Sequence, residues 1–225
     1  MNIKGAIFDM DGTLLDSLTF WDAFWGRVGE VYMGDAAFRP SIEVDKSVRT
    51  MILTDAMTLF YNNYAPHCTR EEFIAFGGHE LESFYANSAK PKDGAIELLE
   101  HLISGGVKLC LASASEYDHI LVALRASGLD KYFDLVLSCN DIGAGKDRPD
   151  IYLLAMQRLG LKVDDICVFE DSFVAMETAR KIGFHTVGVY DKNNYEQQRL
   201  RAASDIYIGE GESLHGLIAA VNPRG

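Results

Sequence analysis

The strongest constraint on this chain is a short apolar run that ends in two carboxylates. Residues 3–8 are largely apolar and are followed by Asp9, Asp11 and Gly12. Such a run predicts a buried strand, and side chains two residues apart on a strand point the same way. Gly12 allows a sharp turn there. We expect the two acids to lie close together, so a proton, a cation or solvent must offset their repulsion. A solvated Asp-Gly turn also explains this stretch, and the rest of the chain must decide.

Composition excludes several classes of protein. The chain has 225 residues, which allows one large or two small domains, and its hydrophobic content of 48% is ordinary for a globular core. A net charge of −12 argues against a nucleic-acid or anionic-membrane partner, because both need a basic patch. The four cysteines form no C-x-x-C pair, and no apolar stretch or leader resembles a membrane span or signal peptide. We therefore expect a cytoplasmic protein.

The hydrophobic pattern changes twice along the chain. Apolar residues at helical spacing fill residues 18–89, where Ser17 is a plausible first N-cap and Thr69 with Glu72 matches a capping box. After the breakers at residues 90–94, strands and helices alternate. Strands are predicted at residues 107–112, 135–137, 166–169, 186–189 and 206–208, and a last helix at residues 214–221.

This alternation predicts an α/β fold with a parallel sheet covered by helices on both faces. We assign residues 1–16 and 90–225 to an α/β catalytic core, and residues 17–89 to a helical domain inserted after the first strand. An insert at that point stands above the acidic strand end, where it can serve as a lid.

Chemically capable side chains follow four of the predicted strands. In open parallel sheets, ligands bind at the carboxyl ends of the strands. The candidates are Asp9 and Asp11 after the first strand, Ser113 in the Ser-Ala-Ser sequence after the second, Lys146 in the glycine-rich turn after the third, and Glu170 with Asp171 after the fourth. Each alone has an ordinary explanation as a cap or a surface residue, but their convergence favours a site.

The chemistry that suits this set is phosphoryl transfer. A carboxylate is a competent nucleophile towards phosphorus and forms an aspartyl phosphate. Mg²⁺ offsets the repulsion between carboxylates and phosphate, and a lysine and a hydroxyl hold the remaining phosphate oxygens. A second carboxylate can protonate the leaving oxygen and later activate water, so Asp9 and Asp11 fit these two roles.

Four segments resemble the signatures of the haloacid dehalogenase superfamily. Residues 8–17, FDMDGTLLDS, resemble the first signature, and Ser113 at a strand end resembles the second. Residues 145–152, GKDRPDIY, resemble the third signature as found in the phosphatase and β-phosphoglucomutase branch, and residues 168–172, VFEDS, resemble the fourth. The resemblance implies a Rossmann-like, doubly wound parallel sheet with a helical cap domain inserted after the first strand.

The resemblance also implies roles for individual carboxylates. Asp9 is implied as the nucleophile and a metal ligand, and Asp11 as the acid/base whose backbone carbonyl also binds the metal. Asp171 is implied as a metal ligand, and Glu170 as a ligand or a partner through water. The implied cofactor is Mg²⁺.

The phosphate-binding residues implied by the resemblance are Ser113, Lys146 and the backbone amide of Ala114. The mutases of the branch carry a lysine and an asparagine soon after this serine to hold a second phosphate. Here those places are Glu116 and Tyr117, and a carboxylate there would repel a bisphosphorylated intermediate.

The leading hypothesis is thus a Mg²⁺-dependent phosphatase acting on a small phosphorylated metabolite. A β-phosphoglucomutase-type sugar-phosphate mutase is the alternative, because Arg49 could stand where such enzymes keep a cap arginine. A signalling receiver module and a catalytically silent binding protein remain as other classes. Receivers place the phosphorylated acid on a middle strand and have no helical insert, which counts against the first of these.

Overall fold

The computed structural model describes residues 1–49 and 51–223. In this part of the chain, six strands form one parallel sheet in the order β4-β3-β2-β5-β6-β7, and β1 pairs with β8 beside it. The strands are β1 (Asn2–Ile3), β2 (Gly5–Phe8), β3 (Lys108–Ser113), β4 (Leu135–Ser138), β5 (Ile166–Glu170), β6 (His185–Val189), β7 (Ile206–Ile208) and β8 (Asn222–Pro223).

Both faces of the sheet are buried, as the continuous apolar strands predict. Along β2, Ala6 and Phe8 pack into one hydrophobic cluster and Ile7 packs into another on the opposite face. Phe8 stacks on Phe169 of β5, with ring centroids 4.1 Å apart. The helices that cover the sheet or follow it are α5 (Ala95–Ser104), α6 (Tyr117–Ser127), α7 (Cys139–Ile142), α8 (Asp150–Leu159), α9 (Phe173–Ile182) and α10 (Gln197–Ala203).

In its described residues, the segment between β2 and β3 has four α-helices before α5, and a π-helix (Gly29–Met33) continues the first of them. The four α-helices are α1 (Phe20–Val28), α2 (Ile42–Val48), α3 (Leu53–Tyr64) and α4 (Arg70–Asn87). Aromatic rings join them, because Phe60 stacks on Trp25 at 5.0 Å and on Phe73 at 5.1 Å. We call residues 17–89 the helical insert.

The two connections of the insert run side by side. The Asp16 amide donates to the Lys90 carbonyl at 2.9 Å, and the Lys92 amide donates to the Leu14 carbonyl at 2.8 Å. The helices of the insert therefore leave and re-enter the sheet unit at one place, next to the acidic end of β2.

The structure tests three predictions about the ends and types of individual helices. The Thr69–Glu72 capping box is confirmed at the start of α4. The expected Ser17 cap is wrong: α1 begins two residues after Leu18, and the Ser17 hydroxyl instead donates to Asp11. The last helix predicted at residues 214–221 is shorter and of a different type, a 3₁₀-helix over Leu214–Ala219 that leads into β8. Among the described residues, no helix is both long and apolar enough to cross a bilayer.

Candidate active site

The predicted site residues lie at the carboxyl edge of the sheet. Asp9 follows β2 directly, and its amide donates to the Phe169 carbonyl of β5 at 3.0 Å. Ser113 and Glu170 are the last residues of β3 and β5, which flank β2 on either side. The parallel register therefore carries three strand ends to one place, and a loop after β4 adds Lys146.

Lys146 is buried between two carboxylates. Its ammonium contacts Asp9 and donates to Glu170 Oε2 at 2.8 Å. Its side chain is only 9% exposed, so the ordinary reading of Lys146 as a surface lysine is wrong. Burial acts to lower the pKa of Lys146, but the neighbouring Asp9 and Glu170 outweigh it and raise that pKa well above its usual value. The lysine is therefore a fixed positive charge at the floor of the site.

Three buried carboxylates gather around this charge. Asp9, Glu170 and Asp171 each offer an oxygen, and these oxygens lie within 4.8 Å of one another. Burial, followed by the charge of Asp9, raises the pKa of Glu170 to about 8 and the pKa of Asp171 well above its usual value. The single ammonium thus leaves the cluster short of positive charge.

This donor set fits a hard divalent cation. All three donor atoms are carboxylate oxygens, which Mg²⁺ prefers, and they are close enough to contact one ion. Asn194 donates to Asp171 Oδ2 at 3.2 Å and to the Asp171 carbonyl at 2.6 Å, which orients this carboxylate.

Asp11 is surrounded by hydroxyl groups. Ser17 and Tyr85 donate to Oδ1 at 2.7 and 2.8 Å, and Ser115 donates to Oδ2 at 3.0 Å. Burial and then the charge of Asp9 raise the pKa of Asp11, while the three hydroxyls oppose this shift. A carboxyl with a raised pKa is suited to hold a proton and to release it.

Ser113 and Ala114 lie beside this group in different ways. The Ser113 side chain is completely buried, and its Oγ accepts the Ser115 amide at 3.0 Å. Ala114 and Ser115 line the open cleft. The structure therefore brings Asp9, Asp11, Lys146, Glu170 and Asp171 together in one site, with Ser113 behind its wall.

The sequence did not indicate that Tyr85 and Asn194 belong to the site. Tyr85 lies four residues after Leu81 on α4, so it has the spacing of an ordinary core aromatic. Asn194 lies in the loop after β6, and its position beyond a predicted strand was a signal that could have identified it.

The site opens into a cleft of about 1200 Å³ between the sheet and the helical insert. Its floor carries the carboxylates and Lys146, and its wall on the insert side includes Trp21, Arg49 and Tyr85. A further wall comes from the loop after β6 and the start of α10, with the amide side chains of Asn193, Asn194, Gln197 and Gln198.

The turn after β2 requires glycine at position 12, and this requirement can be tested. Gly12 has φ +81°, and an added Cβ would lie 2.5 Å from Asp171 Oδ2. Gly12→Ala should lower the unfolding free energy by about 1 kcal/mol or more through backbone strain, and should also abolish most catalytic activity by displacing Asp171. Denaturant unfolding and turnover of 4-nitrophenyl phosphate measure the two effects.

Gly160→Ala is the matched control, because Gly160 has φ +68° and an added Cβ meets no described atom within 4 Å. It should show the backbone strain with full activity. Equal activity of the two variants would contradict the contact between Gly12 and Asp171.

Comparison with known proteins finds similar phosphatases and a similar fold. A phosphorylated carbohydrates phosphatase of Thermotoga maritima is 29% identical over 219 residues, covering 96% of this chain and 98% of that protein. A fructose-1-phosphate phosphatase of Escherichia coli is 28% identical over 187 residues, covering 82% and 95%. The crystal structure of a Thermotoga maritima protein provisionally described as a beta-phosphoglucomutase matches with a TM-score of 0.77 and 25% identity, covering 97% and 98%.

A family model covers most of the sheet and the whole insert. The model of the haloacid dehalogenase-like hydrolases matches residues 3–183, which include every site residue predicted from the sequence. The chain therefore belongs to the haloacid dehalogenase-like hydrolases.

Proposed function

We propose that this protein is a phosphoric monoester hydrolase that removes phosphate from a small phosphorylated metabolite through an aspartyl phosphate on Asp9. The observation that carries the proposal is the buried group in which Lys146 bridges Asp9 and Glu170, with Asp171 adjacent. In the proposed reaction, Asp9 is the nucleophile, Lys146 is the fixed cation, and Asp9, Glu170 and Asp171 are the ligands of a divalent cation.

The first half-reaction begins with attack of an Asp9 carboxylate oxygen on the phosphorus. Lys146 holds phosphate oxygens together with the Ala114 amide, and the buried Ser113 hydroxyl, which accepts the Ser115 amide, holds the turn that carries Ala114. As the bond from phosphorus to the leaving oxygen breaks, Asp11 gives its proton to that oxygen.

The second half-reaction releases the phosphate. Asp11, now a carboxylate, takes a proton from water as the water oxygen attacks phosphorus, and the Asp9 carboxylate is restored. Asp9, Glu170, Asp171 and the Asp11 carbonyl would hold Mg²⁺, which when bound offsets the negative charge of the phosphoryl group.

The names of the relatives support a carbohydrate-like substrate. Both similar phosphatases act, by name, on phosphorylated carbohydrates or fructose 1-phosphate. In this chain, Asn194 and Gln197 are bonded to Asp171, Asp191 and Tyr207, whereas the amide of Gln198 on the same wall has no partner among the described residues, so the wall offers an uncharged donor and acceptor. Such a wall suits the hydroxyl groups of a sugar or polyol monophosphate.

Domain organisation and location are part of the same proposal. We infer that residues 1–16 and 90–225 act as the catalytic domain and residues 17–89 as a cap over the cleft, because their connections lie side by side near Asp11. The four cysteines, all described and all unpaired, support a reducing cytoplasmic location.

A sugar-phosphate mutase is the second candidate, supported by the structural match to the Thermotoga maritima protein described as a beta-phosphoglucomutase. A mutase must hold a second phosphate in the cleft. Arg49 is committed elsewhere: its Nε donates to Asp45 at 2.9 Å, and its terminal nitrogens donate to Asp22 at 2.9 Å and to the Leu18 carbonyl at 3.2 Å.

The charge of Arg49 is thus offset by two carboxylates, which favours hydrolysis of a monophosphate. Glu116 contributes less to this argument than the sequence indicated. It is not among the described residues that line the cleft, and its carboxylate accepts the Thr54 hydroxyl of the insert at 3.5 Å. Lys46, which also lines the cleft, is exposed and lies 4.8 Å from the centre of the Tyr195 ring.

Substitution of the two acids separates their roles. Asp9→Asn should abolish turnover of aryl phosphates with the fold intact, because a neutral amide is a poor nucleophile. Asp11→Asn should slow turnover by roughly 10²–10⁴-fold. Asp130→Asn, at an exposed position, is the control with wild-type activity. Near-normal turnover by metal-replete Asp9→Asn would exclude Asp9 as the nucleophile.

Removal of divalent metal should remove activity. The carboxylate cluster needs positive charge beyond that of Lys146, so excess chelator should stop turnover and Mg²⁺ should restore it, with Ca²⁺ a poor substitute because it prefers longer bonds and more ligands. Asp171→Asn should raise the Mg²⁺ concentration that gives half-maximal activity. Full activity in excess chelator would contradict the metal site.

A product assay distinguishes phosphatase from mutase. β-Glucose 1-phosphate is supplied with a trace of glucose 1,6-bisphosphate, and both products are followed. Because Arg49 is committed to carboxylates, we expect inorganic phosphate without glucose 6-phosphate. Efficient formation of glucose 6-phosphate would establish the mutase activity instead.

A further inference from the structure

Tyr85 is the residue of the helical insert that reaches the proposed acid/base. It lies near the end of α4, its side chain is buried, and its hydroxyl donates to Asp11 Oδ1 at 2.8 Å. Ser17, at the start of the insert, donates to the same oxygen at 2.7 Å. Ser115, which follows β3, donates to the other oxygen, Oδ2, at 3.0 Å. Its Oγ also lies 3.1 Å from the Tyr85 hydroxyl, and for both hydroxyls the contact with Asp11 is the shorter one.

The two oxygens of Asp11 are therefore not equivalent. A carboxylate oxygen has two lone pairs in the carboxylate plane and accepts two hydrogen bonds well. Oδ1 receives two donors, so both of its lone pairs are occupied. Oδ2 receives one donor, so one lone pair remains for a proton.

We propose that Tyr85 is a positioning residue which, with Ser17, occupies Oδ1 and so directs the transferable proton of Asp11 to Oδ2. The inference rests on the proposed function, in which Asp11 protonates the leaving oxygen. In that step the bond from phosphorus to the leaving oxygen breaks, the leaving oxygen takes the proton from Oδ2, and Asp11 becomes a carboxylate.

The placement of Tyr85 gives this bond a second consequence. Tyr85 belongs to the insert, whereas Asp11 belongs to the sheet unit, so the bond exists only when the insert lies over the cleft as it does here. The proton of Asp11 is thus aimed at the leaving oxygen in the same arrangement that encloses the substrate.

The test compares leaving groups of similar size and different basicity. Phenyl phosphate needs protonation of its leaving oxygen, whereas 4-nitrophenyl phosphate leaves as a much weaker base and needs little. Tyr85→Phe keeps the buried ring and removes the hydroxyl. It should lower kcat/KM about tenfold for phenyl phosphate and less than about threefold for 4-nitrophenyl phosphate.

Two further variants make this reading specific to Asp11. In an Asp11→Asn background, Tyr85→Phe should leave the ratio of the two kcat/KM values unchanged, because the acid on which it acts is gone. Tyr61→Phe is the matched control: Tyr61 lies on α3 and donates to the Cys68 carbonyl at 2.9 Å, within the insert. It should leave both substrates unaffected.

The outcomes separate this proposal from the proposed function. If the wild type hydrolyses neither aryl phosphate, the proposed function fails and this inference fails with it. Suppose that the wild type hydrolyses both substrates. Tyr85 has only a structural role if Tyr85→Phe lowers the two kcat/KM values by the same factor. The same conclusion follows if Tyr85→Phe changes their ratio as much in the Asp11→Asn background as in the wild type. If Tyr85→Phe does not fold in thermal melts, Ser17→Ala removes the other donor to Oδ1 and must show the same leaving-group dependence.

Discussion

The arrangement of this molecule depends on the compensation of buried negative charge by Lys146. Asp9, Glu170 and Asp171 are held out of water, where unpaired carboxylates are strongly unfavourable. One ammonium bridges Asp9 and Glu170, and the remaining charge is offset by protons or by a bound cation. In the proposed reaction, a phosphate ester would bring still more negative charge, and the cation proposed for the carboxylates would offset that charge as well.

The sheet explains why these groups meet. The strands β4, β3, β2 and β5 are neighbours and run parallel, so the residues at their carboxyl ends lie along one edge although they are far apart in sequence. The backbone amide of Asp9 continues the ladder to β5, which fixes Asp9 relative to Glu170 and Asp171. The helical insert begins directly after this edge, and its Tyr85 hydroxyl donates to Asp11, two residues from Asp9.

Most of the fold and the charged floor of the site followed from the sequence. Apolar strands that end in polar residues predict both the sheet and its functional edge, and Asp9, Lys146 and Glu170 each follow such a strand. Tyr85 could not be identified in this way, because its helical spacing is that of a core residue and its partner is distant in sequence. The capping reading of Ser17 was wrong because its hydroxyl is used by Asp11 across the turn, a contact that only the tertiary structure creates. The short α7 and α10 were not predicted, since helices of this length have little periodicity.

We propose that Asp9 accepts the phosphoryl group, and trapping of the covalent intermediate is the most direct test of this role. The enzyme is mixed with substrate and metal, quenched in acid within milliseconds and reduced with borohydride, which converts an aspartyl phosphate to homoserine. Peptide mass spectrometry then locates the modified residue. We expect homoserine at position 9, and we expect Asp11 and Asp171 to be unmodified. Homoserine at either of those positions, or phosphate on a serine such as Ser113, would contradict it.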